Sequence, residues 1–357
     1  MSPSLVSPDK PIVLHIGDPV KWNLDQFSEF SKDFTIIQPS LSERQRPEFM
    51  KALQDKRWGD FAAIFRPFWN TGGEMGRWDR DLIPLLPESC RVFAAAGAGF
   101  DWADVDLLAE RVSLYSAAAA SESVADFALF LILATFRHLN WCTTSARSTT
   151  SAFTDCHVNA PALSHNPRNH TLGIIGLGAI GQLIAQKAHL AFGMRIRYFD
   201  IVRKSDQLEI SLSATFDADL DGMLRDCDCV VLATPASPDG RKIIDAERLK
   251  HFKTGSRFVN IARGVLVDEE ALADALDEGR LCAAALDVHE HEPVPNDRLK
   301  GMRNVTLTTH NAGGTLETHI GFESWSMRNV DAVLKGKEPL TPVNLHLFPS
   351  AEIKRKF

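Results

Sequence analysis

No apolar run in this 357-residue chain is long enough to cross a bilayer. The longest, "FALFLILATF" at 127–136, falls well short of the roughly 20 residues a spanning helix needs. It reads instead as a helix buried all round, in a core or at a subunit contact. The N-terminus lacks the charged start and long apolar core of a secretory leader, since Pro8, Asp9, Lys10 and Pro11 lead into only a short apolar stretch. A disulfide framework and a metal-type cysteine spacing are also missing: Cys90, Cys142, Cys156, Cys227, Cys229 and Cys282 are scattered, and Cys227-Asp228-Cys229 is CxC rather than CxxC. Reduced thiols in the cytoplasm are the expectation. A basic surplus is absent as well. With a formal net charge of −7 the chain has no general attraction for nucleic acid or an anionic membrane, so neither is an expected partner. The basic 354–356 stretch reads as a solvated tail. No internal repeat is visible.

The composition, 45% apolar and 24% charged, is that of an ordinary globular protein, and the length favours two domains. "IVLHIG" (12–17), "FAAIF" (61–65) and "RVFAAAGAG" (91–99) read as buried strands separated by helix-compatible segments. A long helix follows at 121–138, with Ser121 or Ser123 as its N-cap. The segment 145–170, rich in Ser, Thr, Asn and Pro, reads as a long surface excursion between domains. From Thr171 the alternation restarts: "TLGII", "RIRYFD", "VVLAT", "RFVNIA", "CAAALDV" and "VTLTT" read as strands with helices between them. Beyond Gly313, "LETHIGFESWSMRNVDAVLKG" reads as a helix returning to the first domain. The expected fold is therefore α/β: two Rossmann-like or flavodoxin-like, doubly wound parallel-sheet domains with a cleft between them. Residues 1–121 plus 313–357 form a discontinuous substrate domain, and 122–312 form the dinucleotide-binding domain.

"GIIGLGAIG" contains G-x-G-x-x-G at Gly176, Gly178 and Gly181. Alone the pattern is weak, but an apolar strand precedes it and an amphipathic helix follows. Gly176 allows a tight turn, Gly178 lets the backbone approach a pyrophosphate, and Gly181 lets helix pack closely on strand. Ala179 and Ile180 begin a helix whose N-terminus faces the phosphates. Asp200 ends the next strand about 20 positions on, where an acid meets the ribose 2′-hydroxyl and repels a 2′-phosphate. NAD(H) is therefore favoured over NADP(H), a preference that the nearby Arg203 weakens.

Three further stretches end strands at the same sheet edge. "NIARG" carries Arg263, "LDVHEHEP" carries Asp287 and Glu292, and "LTTHNAGG" carries His310. Arg263 offers a planar fork that fits a carboxylate and an adjacent carbonyl. His310 can hold or release a proton near neutral pH, and Glu292 beside it favours the imidazolium. An acid, a carboxylate clamp and a nicotinamide cofactor describe the reversible reduction of a 2-oxo acid. In "HEHE", His289 and His291 would point the same way from an extended segment. A metal would still lack further ligands, and HExxH is absent, so no metal is expected. His289, Glu290 and His291 read as a connecting loop without chemistry.

These motifs, in this order, resemble the D-isomer-specific 2-hydroxyacid dehydrogenase family over nearly the whole chain. The resemblance implies that Arg263 binds the substrate carboxylate, that His310 is the general acid/base, and that Glu292 is its partner. Asp287 would sit near the nicotinamide carboxamide. "AAGAGFD" (95–101) matches the family loop whose amides hold the substrate carboxylate, implying Ala98 and Gly99. "SVADFAL" matches the start of the linking helix, with Ser123 near the cofactor. Thr234, Pro235 and Ala262 follow strands beside the cofactor. Phe68 and Trp69 could line an apolar pocket. "FAAAGAGFDW" and "HNPRNH" look closest to fungal D-mandelate dehydrogenases and related aromatic or branched-chain 2-oxo-acid reductases. Glyoxylate or hydroxypyruvate reduction is the alternative, and a non-catalytic NAD(H)-sensing corepressor is a third. Ala96 and Asn311 depart from the usual family residues and bear on substrate choice. The expected partners are a small 2-oxo or D-2-hydroxy acid and a second copy of the chain, in a homodimer.

Overall fold

The computed structural model describes residues 10–67, 74–97, 99–111, 113–116, 120–236 and 240–348. The chain divides into two compact units, one of residues 1–120 with 315–357 and one of residues 121–314.

In the first unit the elements run β1 (Ile12–His15), α1 (Leu24–Asp33), β2 (Thr35–Ile37), α2 (Arg46–Gln54), β3 (Ala63–Arg66), β4 (Val92–Ala95), α3 (Val105–Arg111) and β5 (Ser113–Ser116). The strands pair in parallel in the order β2-β1-β3-β4-β5. The three strands read from the sequence are β1, β3 and β4, and the latter two are buried throughout. Their neighbours in the sheet, β2 and β5, carry no long apolar run and escape a sequence reading.

The second unit contains α4 (Ala120–Phe136), α5 (Leu139–Ala146), α6 (Thr150–Asn159), β6 (Thr171–Ile175), α7 (Ala179–Phe192), β7 (Arg195–Phe199), α8 (Asp206–Leu212), β8 (Ala214–Phe216) and α9 (Leu220–Asp226). It continues with β9 (Cys229–Leu232), α10 (Ala246–Leu249), β10 (Ser256–Asn260), α11 (Glu269–Asp277), β11 (Leu281–Leu286), α12 (Asp297–Gly301) and β12 (Val305–Leu307). Its sheet is parallel in the order β12-β11-β10-β9-β6-β7-β8. Strands β6, β9 and β10 are buried at every position, as a sheet covered on both faces requires. The order reverses between β6 and β9, and ligands of such sheets sit outside the carboxyl ends at that switch point.

The last helix, α13 (Leu316–Leu334), packs Met327, Val330 and Val333 into a core with Val13, Phe65 and Ala94. Each such buried side chain contributes about 1.5–3 kcal/mol. Its Glu323 carboxylate accepts from the backbone amides of Lys21 (2.8 Å) and Asn23 (2.9 Å). It thereby satisfies the start of α1, whose own N-cap residue makes no side-chain cap.

Two expectations need correction. Helix α4 starts at Ala120, so Ser121 and Ser123 lie inside its first turn and neither is the N-cap. The segment 145–170 is not an irregular excursion. It holds the end of α5, all of α6 and a short 3₁₀ turn at Ala160–Ala162. Thr149 caps α6 by accepting from the Ala152 amide, and Trp141, Cys156 and Ala160 form a small core beneath it. Thr149 in that segment acts as a helix cap rather than a loop former. Among the described residues no helix is long and apolar enough to cross a membrane.

Candidate active site

The glycine-rich turn follows β6 at the switch point. Gly176 has φ 96°, and a Cβ there would lie 2.9 Å from the Ala233 carbonyl oxygen. The turn therefore needs glycine for conformation and for its approach to the end of β9 and Thr234. A Cβ on Gly181 would lie 2.2 Å from the Gly176 carbonyl oxygen, so helix α7 packs directly on the turn. Gly178 differs: nothing lies within 4 Å of its would-be Cβ. It is the N-cap of α7 and makes no side-chain cap. The chain is therefore open at Gly178, beside the first amides of the helix from Ala179 and Ile180 onward. Asp200 follows β7, and its Oδ2 accepts from the Leu177 amide (2.9 Å), tying the acid to the turn. Lys204 pairs with the same oxygen at 3.0 Å. Arg203 turns to Glu209 (2.8 Å) and Asp206 (3.2 Å).

Along the same edge, β10 ends at Asn260, whose buried side chain fixes the next turn. Its Oδ1 accepts from Ala262 N (3.0 Å), and its Nδ2 donates to the Arg263 carbonyl (3.0 Å). Arg263 is half-buried and donates through Nη1 to the Ala262 carbonyl (2.7 Å). Gly264, at the start of a 3₁₀ turn, lies against the next loop. A Cβ there would fall 1.9 Å from the carbonyl carbon and oxygen of His289. Only a glycine allows the Arg263 turn and the 289–292 turn to meet.

That second turn follows β11. His289 N–H donates to Glu292 Oε1 (3.0 Å), and His310 Nδ1 donates to Glu292 Oε2 (2.9 Å). The carboxylate is held on both oxygens and faces the imidazole from the far side of a turn. Burial works to raise the Glu292 carboxyl. The bonds from His310 and the His289 amide outweigh it, and the net shift is downward. His310 follows β12 in the left-handed region at φ 53°, a strained setting for a side chain without a functional or structural demand. Its amide donates to the Asp287 carbonyl at 2.7 Å. The Asp287 carboxylate is 1% exposed and accepts from Thr308 Oγ1 (2.7 Å), Asn311 N (2.9 Å) and Ala312 N (2.9 Å). Asp287 thus shapes the loop that carries His310 and fills most of its acceptor positions there.

The candidate residues of this unit, Gly176, Gly178, Gly181, Asp200, Thr234, Pro235, Ala262, Arg263, Asp287, Glu292 and His310, all lie at the carboxyl ends of β6, β7 and β9 to β12 or in the turns just beyond. Ser123 lies in α4. In the other unit, Gly99 follows β4 and accepts at its carbonyl from Trp102 Nε1 (3.0 Å). Phe68, Trp69 and Ala98 lie outside the described residues. Residues 289–291 lie in the connecting turn that follows β11. The segment turns rather than extends, so His289 is buried and His291 exposed. Glu290 pairs with Lys242 at 2.7 Å. Among the described residues no group of three or more His, Cys, Asp or Glu could hold a metal ion. A cavity of about 490 Å³ near α5 and α6 includes none of the candidate residues. Sequence reasoning missed Asn260 and Gly264. Asn260 ends an apolar strand two residues before the turn it holds, which was the one available signal.

Residues 129–312 match the family model described as D-isomer specific 2-hydroxyacid dehydrogenase, NAD binding domain. The crystal structure of holo D-mandelate dehydrogenase from Rhodotorula graminis superposes with a TM-score of 0.90 and 40% identity, covering 94% of this chain and 98% of that one. The 4-methyl-2-oxopentanoate reductase A of Aspergillus oryzae is 31% identical over 92% of this chain and 96% of its own length. The glyoxylate reductase of Thermococcus kodakarensis is 36% identical over 75% of this chain and 80% of its own. The chain belongs to the D-isomer specific 2-hydroxyacid dehydrogenase family and is an oxidoreductase that acts on the CH–OH group of 2-hydroxy acids with a nicotinamide cofactor.

Proposed function

We propose that the protein is an NAD(H)-dependent D-2-hydroxyacid dehydrogenase that reduces aromatic or branched 2-oxo acids, of which benzoylformate is the type. The bond between His310 Nδ1 and Glu292 Oε2 at 2.9 Å carries the chemical part of this reading. The nicotinamide cofactor supplies the hydride when bound. Gly178, in the turn that Gly176 and Gly181 shape, would admit its pyrophosphate, Ala179 and Ile180 would offer it helix N-terminal amides, and Thr234, Pro235 and Ala262 would flank it. One acceptor position left on Asp287 serves the carboxamide. Arg263 binds the substrate carboxylate and orients the carbonyl. His310 gives its proton to the alkoxide oxygen as that develops, and Glu292 holds the imidazole in the donating orientation. Asp200 accepts from the ribose 2′-hydroxyl and repels a 2′-phosphate, which favours NAD(H). Lys204, paired with that acid, softens the preference without reversing it.

For the substrate side chain, the support is the breadth of likeness to the D-mandelate dehydrogenase and the 4-methyl-2-oxopentanoate reductase, each over more than nine-tenths of the chain. Glyoxylate reduction is the second reading, favoured by the 36% identity to a glyoxylate reductase over a shorter span. The test is a panel of benzoylformate, phenylpyruvate, 4-methyl-2-oxopentanoate, glyoxylate and hydroxypyruvate, compared by kcat/KM with NADH. A preference for glyoxylate over all the larger acids refutes the first reading. Exposed Phe130 and Leu133 on α4 support a homodimer, which sedimentation checks. Six free cysteines fit a cytoplasmic setting.

A further inference from the structure

Behind the Glu292–His310 pair lies a second histidine that the proposed reaction does not use. His289 is 6% exposed. Its Nε2 lies 2.8 Å from the Thr308 carbonyl oxygen. A carbonyl only accepts, so Nε2 carries a proton and donates. Its Nδ1 is buried without a hydrogen-bond partner and lies 3.8 Å from Glu269 Oε1, too far for a bond. Glu269, the first residue of α11, is itself buried and accepts at Oε1 from the Glu290 amide (2.9 Å). The Glu269 amide in turn donates to Glu290 Oε2 (3.3 Å). Helix start, turn and histidine are therefore locked together.

The connections run to both halves of the acid/base pair. The His289 main chain donates to Glu292 Oε1. Its side chain grips Thr308, which precedes His310 by two residues and donates to Asp287. Gly264 presses the Arg263 turn onto the His289 peptide. One residue thus spans the turn bearing the carboxylate and the strand end bearing the imidazole. We infer that His289 is the positioning residue of the Glu292–His310 pair, with Glu269 as its brace. This rests on the reading of that pair given above.

Placement matters because a misplacement on the order of 1 Å can cost about 10²-fold in rate. Charged groups near the two histidines include Glu292 on the turn and Glu269 at the start of α11, with Asp287 at the end of β11 bonded to the loop that carries His310, and Asp268 beside Glu269. Lys242 joins them through Glu290. Without the grip of His289, the carboxylate and imidazole separate, and the imidazolium loses its neighbour. The rate of reduction should fall, and its alkaline limb should move to lower pH.

The experiment compares His289→Phe, His289→Asn and His289→Gln in the full chain, with His310→Ala alongside. It measures kcat for NADH-dependent reduction of the best 2-oxo acid across pH, NADH affinity by fluorescence, and thermal melting. Gln reaches the Thr308 carbonyl as Nε2 does, whereas Asn is polar but too short. Phe and Asn should lower kcat by roughly 10–100-fold and move the alkaline limb down, with NADH affinity kept. Gln should restore both. Folded Phe or Asn variants with the parent's kcat and limb overturn the inference, as does a Gln variant no better than Asn. If Phe fails to fold, the Asn and Gln pair decides. If all three fail, His289 is scaffold and the inference falls. Normal turnover in His310→Ala refutes the reading of the pair itself. A dead His310→Ala beside unchanged His289 variants refutes only this inference.

Discussion

Replacing Glu292 by Gln keeps the shape of the 289–292 turn and removes one charge. In the parent the Glu292 Oε2 lies 2.9 Å from His310 Nδ1, and both side chains are about one-third exposed, at 37% and 34%. Two unit charges about 4 Å apart interact by about 1 kcal/mol in water and about 4 kcal/mol at an effective dielectric of 20. Solvent access to this pair pulls the value to the bottom of that range, about 1 kcal/mol or less. The sign follows from the chemistry. Reduction needs a protonated His310, the carboxylate favours that form, and Gln does not. The alkaline limb of kcat/KM for 2-oxo-acid reduction should therefore move to lower pH. Oxidation of the hydroxy acid needs the neutral imidazole, so its acidic limb should shift the same way. The assay is initial-rate NADH absorbance over a pH series, with NADH affinity measured separately. Limbs that stay in place in a folded, NADH-binding Glu292→Gln enzyme refute the coupling.

Other perturbations test the surrounding structure. Gly264→Ala puts a Cβ 1.9 Å from the His289 carbonyl; overpacking of this kind costs about 1–3 kcal/mol, read by urea unfolding, and activity should fall more steeply than stability. Asp200→Ser removes the proposed acceptor for the ribose; a charged hydrogen bond contributes about 1.5–3 kcal/mol, so the NADH-over-NADPH ratio of kcat/KM should drop by at least about tenfold, and an unchanged ratio refutes the proposed role of Asp200. His15 is 1% exposed, and burial foremost, with Arg44, pushes its pKa down to about 4, against smaller opposite effects of Asp18 and Glu323. The unfolded chain takes up that proton first, so stability present above about pH 6.5 is lost as pH falls toward about 4. Between pH 7 and pH 5 the His15 contribution to this loss is about 2 kcal/mol, and urea midpoints should lose that part of their pH dependence in His15→Leu.

What the sequence made legible was local. The glycine turn could be read because each glycine answers a demand set within a few residues, and β6, β9 and β10 because strands buried on both faces leave continuous apolar runs. The strands β2 and β8 were not legible: three residues each, half-exposed in places, they carry neither a run nor a clean alternation. The polar helix α6 was lost because its apolar contacts are few. The packing of His289 was not legible for a different reason. Its partner Thr308 and its neighbour Glu269 lie about 20 residues away on either side, and nothing short of the sheet order brings three consecutive strand ends together. Asp287 marked the right place, but its bonds to the 308–312 loop follow from a turn geometry that sequence spacing does not encode.

The central claim is that His310 is the proton donor for 2-oxo-acid reduction. It is tested most directly by kcat of His310→Ala with NADH and the best 2-oxo acid. General acid catalysis contributes about 10²–10⁴-fold, so kcat should fall by that factor while NADH affinity stays at the parent's value. A His310→Ala enzyme that binds NADH and turns over at near the parent rate contradicts the account.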